Sequence, residues 1–183
     1  MIETAAALDQ VVFDKTGTLT LGRPLVTDVF GEDPNLLLQW AASLEQSSRH
    51  PLAYALLQEA QRRDLALIDV TRVSTVSGEG LWGELDGVVG DLRVGKPAWL
   101  QSFGVDFSAA ATAWLAAAQG SVVAVSAGQV LVGLLQVEDK QRPDVAPSLE
   151  RLRASGLKLD IFSGDREVAV RRLGERLGFA EAD

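Results

Sequence analysis

The chain has 183 residues, 47% of them hydrophobic and 23% charged, with a formal net charge of −8. That length can bury a core for one or two small domains, and the acidic balance leaves no basic footprint for nucleic acid or an anionic membrane surface. There is no cysteine, which excludes disulfides, thiolate metal sites and cysteine nucleophiles from this chain.

No apolar run approaches the roughly 18 residues of a membrane helix, and Met1-Ile2-Glu3-Thr4 lacks the basic start of a signal peptide. A soluble polypeptide is expected. In chain order, Val11 to Phe13 read as a strand that stops at Asp14 and hands its carboxylate to the loop "KTGTLT". Gly22 and Pro24 predict the exit from that segment. Asp33-Pro34 reads as an N-cap followed by proline at the first helical position, with Leu36, Leu37, Trp40 and Leu44 on the apolar face. Ser47-Ser48-Arg49 breaks this helix, and His50-Pro51 starts a second one carrying Leu52, Leu56 and Leu57 inward.

The stretch "VTRVSTVSGEGLWGELDGVV" predicts hairpin strands. An alanine-rich helix follows over Ala109 to Gln119, and "SVVAVSAGQVLVGLLQV" predicts two strands joined at Ala127-Gly128. Helices on one side of an antiparallel sheet is the simplest packing of this order. After the charged segment "VEDKQRPD" come a helix over Val145 to Ala154 stopped by Gly156, a strand over Leu157 to Phe162, and a last helix from Arg166 or Glu167 to Leu177. Two strands therefore end on polar groups, one at Asp14 and one at Ser163-Gly164-Asp165, as ligand-binding strands do in parallel α/β sheets. The tail "LGERLGFAEAD" stops just after a helix, as expected of a piece of something longer.

A carboxylate at a strand end, a nearby cation and small hydrogen-bond donors are the parts needed to hold a phosphoryl group covalently. In "DKTGTLT", Asp14 can attack and Lys15 brings positive charge. The Thr16 backbone carbonyl can face Mg²⁺, while the Thr18 hydroxyl and the Gly17 and Thr18 amides can face phosphate. A plain turn with capping threonines is the competing reading for any single D-x-T.

The whole heptapeptide resembles the phosphorylation motif of the P-type ATPases, cation pumps built on the haloacid-dehalogenase core. "SLEQSSRHPLA" resembles the signature of their heavy-metal-transporting branch, and "SGEGLWGEL" the glycine pair that follows it. "EDKQRPD" and "LKLDIFSGD" resemble the return into the phosphorylation domain. The resemblance implies an α/β fold: a haloacid-dehalogenase-like, Rossmann-like phosphorylation domain, partial here, with an inserted α+β nucleotide-binding domain whose antiparallel sheet is flanked by helices. The implied boundaries are 1–26 and 136–183 for the phosphorylation domain and 27–135 for the insertion. By the same resemblance, ATP phosphorylates Asp14, Asp14 and Thr16 hold Mg²⁺, Ser163 bonds the transferred phosphoryl group, and Gly164 and Asp165 complete that motif. Glu45 and His50 match positions that contact adenine, Gly78 and Gly80 let backbone approach the nucleotide, and Gly95 matches a third glycine near the phosphates. His50, the only histidine, also reads simply as a helix-start residue.

The implied activity is ATP-driven translocation of a heavy-metal cation, copper by family-level inference, through an aspartyl phosphate. ATP and Mg²⁺ are the implied ligands. The membrane and actuator domains of the same pump are the implied partners, with the transported ion bound elsewhere and no nucleic acid involved. The chain would be a soluble region facing the cytoplasm. Serine stands where the family has threonine before Gly164, and Lys96 stands where asparagine is usual. The catalytic lysine and "GDGxND" stretch have no counterpart, so nucleotide binding without sustained turnover is expected. The competing functions are a soluble haloacid-dehalogenase-type phosphatase with a large cap and a non-catalytic nucleotide-binding module. A phosphatase calls for an acid or base at the position of Thr16.

Overall fold

Strand β1 (Gln10–Asp14) pairs in parallel with β8 (Lys158–Phe162), in a register running from Gln10↔Lys158 to Asp14↔Phe162. This computed structural model describes residues 9–162, 174, 175 and 177–179, with the backbone alone at Thr16. The chain divides into two units, one formed by residues 1–23 with 139–183 and the other by Pro24–Glu138.

In the first unit, side chains alternate along the paired strands. Val11, Phe13, Leu159 and Ile161 turn to a core with Leu19, Leu177 and the helix α5 (Val145–Ala154), which contributes Val145, Leu149 and Leu152. The opposite face carries Val12 and Phe162, 58% and 72% exposed. Asp160, which interrupts the apolar run of β8, lies on that face opposite Val12 and accepts a hydrogen bond from Gln10 Nε2. α5 ends at Gly156, whose φ of +85° is the left-handed turn a glycine makes at little cost.

The second unit is built on a six-stranded sheet in the order β2-β7-β6-β5-β4-β3. Its strands are β2 (Thr20–Gly31), β3 (Val70–Val76), β4 (Gly80–Leu85), β5 (Leu92–Gly95), β6 (Ser121–Ala127) and β7 (Val130–Gln141); the outer ends of β2 and β7 belong to the first unit. The pairs from β3 to β7 are antiparallel. α1 (Pro34–Leu44) and α2 (Pro51–Arg62) share a core with Val123, Val125, Leu135 and Val137. α3 (Pro97–Ser102) and α4 (Ala109–Ala117) share the other, with Val122, Ala124 and Leu134.

Adjacent residues of β6 thus enter opposite cores, and helices cover both faces of the sheet. This corrects the expectation of helices on one side. The cause is visible in "VVAV": a strand buried on both faces is continuously apolar rather than alternating. Two further departures concern short elements. β2 runs through Gly22 and Pro24, where an exit is expected, because Gly22 adopts φ +67° and proline is tolerated on an edge strand. β5 and α3, of four and six residues, are too short to give a periodic signal.

Helix starts follow local chemistry. The Asp33 carboxylate accepts from the amides of Asn35 and Leu36, both at 3.0 Å, with Pro34 in the first turn. His50 caps α2 in the same way: its Nδ1 accepts from Leu52 N–H at 3.2 Å.

Candidate functional site

The sequence-derived candidates fall on both units. In the first, Asp14 is exposed at the carboxyl end of β1, beside the end of β8 at Phe162. Ser163, Gly164 and Asp165, which follow β8, lie outside the described residues. Lys15–Leu19 form a single π-helical turn, an irregularity common at functional positions. Gly17 takes φ +78° with open space where a Cβ would stand, and Thr18 beside it is exposed.

The turn closes on a residue that motif reading passes over. Thr20 is 2% exposed. Its Oγ1 accepts from Gly17 N–H at 3.1 Å, lies 3.1 Å from the Lys15 carbonyl oxygen and 2.5 Å from Asp139 Oδ2. The Gly17 amide, expected to face phosphate, is therefore engaged inside the loop. Asp139 accepts two more hydrogen bonds, from Gly22 N–H at 3.0 Å and from Arg23 N–H at 2.9 Å. The Arg142 amide donates to Leu19 O at 3.0 Å. The only hint of this in the sequence is that "VEDKQRPD" re-enters the same unit; the pairing itself is a tertiary fact.

In the second unit, Glu45 opens a 3₁₀ turn (Glu45–Ser47) between α1 and α2. It is 6% exposed, and its Oε2 has no hydrogen-bond partner among the described residues. Burial raises its pKa above the ordinary carboxylate range, opposed by a hydrogen bond with Ser48 and by the neighbouring His50 imidazole. His50 is itself exposed at the start of α2. Gly83 brings β4 against the end of α1: a Cβ there would stand 2.9 Å from Leu44 Cδ1.

Gly78 sits in the β3–β4 turn at φ +74° with open space around it. Gly80 and Gly95 differ. They are register partners on β4 and β5, and a Cβ on either would stand within 2.9 Å of Trp99. The fold itself requires their small size. Lys96 precedes α3 with its Nζ 3.9 Å from the Glu79 carboxylate. Among the described residues no group of three or more His, Cys, Asp or Glu could hold a metal ion, and no helix is long and apolar enough to cross a membrane.

The haloacid dehalogenase-like hydrolase family matches residues 8–183. The chain belongs to that family. Within these hydrolases its similarity is to metal-transporting P-type ATPases. It is 37% identical over 180 residues to the copper-transporting P-type ATPase of Rhizobium leguminosarum bv. viciae, covering 94% of this chain and 21% of the relative. Among solved structures, the catalytic domain of the CPx-ATPase CopB-B, studied upon nucleotide binding, superposes with a TM-score of 0.73 at 30% identity, over 98% of this chain and 62% of that one. A zinc-transporting PIB-type ATPase in its E2.Pi state superposes with a TM-score of 0.74 at 31% identity, over 97% of this chain and 29% of that one. The chain spans 20–26% of the length of the curated relatives it resembles.

Proposed function

We propose that this chain is the ATP-binding and phosphorylation region of a metal-transporting P-type ATPase, with Asp14 as the phosphorylated residue. Pro24–Glu138 would be the nucleotide-binding unit and the remainder part of the phosphorylation unit, facing the cytoplasm in the whole pump. The observation that carries this reading is the placement of Asp14 at the carboxyl end of a parallel strand pair in a haloacid dehalogenase-like chain.

In the proposed step an Asp14 carboxylate oxygen attacks the γ-phosphorus of ATP. The new O–P bond forms as the bond to the β,γ-bridging oxygen breaks, and ADP leaves with that electron pair. Lys15 contributes positive charge, and the Thr18 hydroxyl and amide face the phosphoryl oxygens. Ser163, Gly164 and Asp165 complete the site in the family reading. The Asp14 carboxylate and Thr16 carbonyl are hard oxygen donors of the type Mg²⁺ takes alongside substrate phosphates, so this donor set fits that ion. Bound there, Mg²⁺ would offset the negative charge of the phosphates.

Adenine recognition is assigned to Glu45 and His50, with Gly78, Gly80 and Gly95 keeping the hairpin backbone accessible. A buried carboxylate oxygen without a partner is costly, and an exocyclic amine of adenine would satisfy it. Guanine presents a carbonyl at that position. Threonine at position 16, which supplies no general acid or base, disfavours the soluble phosphatase reading. Copper over zinc stays a family-level assignment, since relatives of both kinds align with this chain.

Titration calorimetry tests the nucleotide site. ATP should bind the wild-type chain at least about tenfold tighter than GTP, a margin that one well-placed buried hydrogen bond supplies. Glu45→Gln should narrow it. Equal binding of ATP and GTP, unaltered by Glu45→Gln or His50→Ala, sinks the adenine assignment.

A further inference from the structure

We infer that Asp139 is a positioning residue for Asp14, acting through Thr20; this rests on the reading of Asp14 as the phosphorylated residue. Asp139 stands on β7, remote in sequence from the phosphorylation loop, yet three donors from residues 20–23 converge on its carboxylate. Oδ2 takes the Thr20 hydroxyl and the Gly22 amide, and Oδ1 takes the Arg23 amide. With three donors on it, this carboxylate is a clamp on the loop rather than a spare ligand for Mg²⁺. Its acceptor sites are directed at the chain.

Thr20 transmits the clamp. A hydroxyl has one proton to donate and lone pairs to accept with. The short contact to Asp139 is the charge-assisted one and takes the proton. The oxygen so oriented accepts from Gly17 N–H, which fixes the middle of the turn. Gly17 lies between Thr16 and Thr18, the residues assigned to Mg²⁺ and phosphate, and at φ +78° it is the position where the turn is most easily deformed. Arg142 N–H, donating to Leu19 O, adds a second tie from the same segment. A loop pinned at Gly17, Leu19, Thr20, Gly22 and Arg23 presents Asp14 and Thr18 without paying ordering entropy at the moment of reaction.

The test uses the full 183-residue chain with Mg²⁺ and beryllium fluoride as the acyl-phosphate mimic, followed by ¹⁹F NMR, together with amide hydrogen exchange. Wild type should bind the mimic, and Asp14→Asn should abolish binding. Asp139→Asn and Thr20→Val should each weaken it by about tenfold or more, as loss of a part-buried charge-assisted hydrogen bond does, while Thr20→Ser stays within about threefold of wild type. Exchange at Gly17 should accelerate in both weakened variants, and at Gly22 and Arg23 in Asp139→Asn. Amide resonances of Pro24–Glu138 report folding. If Asp139→Asn disturbs them, the Thr20→Val and Thr20→Ser pair decides. Unchanged mimic affinity in folded variants, or a Thr20→Ser chain as weak as Thr20→Val, overturns the positioning role and leaves Asp14 standing. Failure of wild type to bind, or equal binding by Asp14→Asn, removes the phosphorylation reading and this inference with it.

Discussion

Gly80 and Gly95 face each other across β4 and β5, so close that a Cβ on Gly80 would stand 2.7 Å from Gly95 Cα and 2.7 Å from the Trp99 ring. Backbone is the obstacle as much as the ring: that same Cβ would meet Val94 O at 2.4 Å. Gly80→Ala or Gly95→Ala should therefore destabilise the chain by about 1–3 kcal/mol, the usual cost of overpacking. Urea unfolding checks this. Gly78→Ala meets no neighbour and should lose only the preference of its positive φ, about 1 kcal/mol. A Gly80→Ala chain as stable as wild type would show that Trp99 and the hairpin yield freely.

Glu45 should limit the stability of the ligand-free chain. Its folded pKa is raised by burial, so the folded state holds the proton more tightly than the unfolded chain does. Stability is then greatest below the unfolded pKa and falls as pH rises through the raised folded value. Glu45→Gln removes that loss. The melting temperature at neutral pH should rise by roughly 2–4 °C, with the gain shrinking towards pH 4. A lower melting temperature at neutral pH would mean that Glu45 finds a partner when ionised.

The opposite sign applies to Glu59 on α2. A bidentate hydrogen bond from Arg62 and a further one from Arg63 hold its pKa down at about 2. The stabilisation is present above the ordinary carboxylate value of 4.5 and is lost as pH falls towards 2. The Arg62 side chain is 70% exposed, so solvent screening keeps the combined worth of these pairs small. Melting profiles of Glu59→Gln and wild type should converge as pH drops through this window. Parallel profiles would assign no net value to the pairs.

His50 holds two roles that substitution can separate. As the N-cap of α2 its Nδ1 satisfies Leu52 N–H, and His50→Ala should cost about 0.5–1 kcal/mol. His50→Ser keeps an acceptor for that amide but has no imidazole. It should recover the stability while binding ATP as weakly as His50→Ala. Recovery of ATP affinity along with stability would reduce His50 to a cap.

Legibility followed the range of the interactions. α1 with its Asp33 cap, α2 starting at His50-Pro51, and α5 ending before Gly156 coincide with the sequence reading because capping and proline geometry act over a few neighbouring residues. The place of Asp14 at the end of β1 was legible for the same reason, since an apolar run stopping at a carboxylate before glycine and threonines is a local pattern. β5 and α3 were not legible because four and six residues carry too little periodicity. Covering of both sheet faces was misread, since it depends on which side of β6 each of Val122 to Val125 enters.

By itself, then, the sequence determined where α1, α2, α4 and α5 start and that β1 ends on Asp14. Those properties arise from short-range backbone sterics and hydrogen bonding. Only the tertiary structure decided that Thr20 and Asp139 are hydrogen-bonded beside the Lys15–Leu19 turn, that the Gly17 amide serves that turn, that Gly80 and Gly95 answer to Trp99, and that Glu45 carries a buried oxygen with no hydrogen-bond partner among the described residues. The Thr20–Asp139 and Gly80–Gly95 approaches join groups far apart in sequence, and they are set by packing and by no local preference.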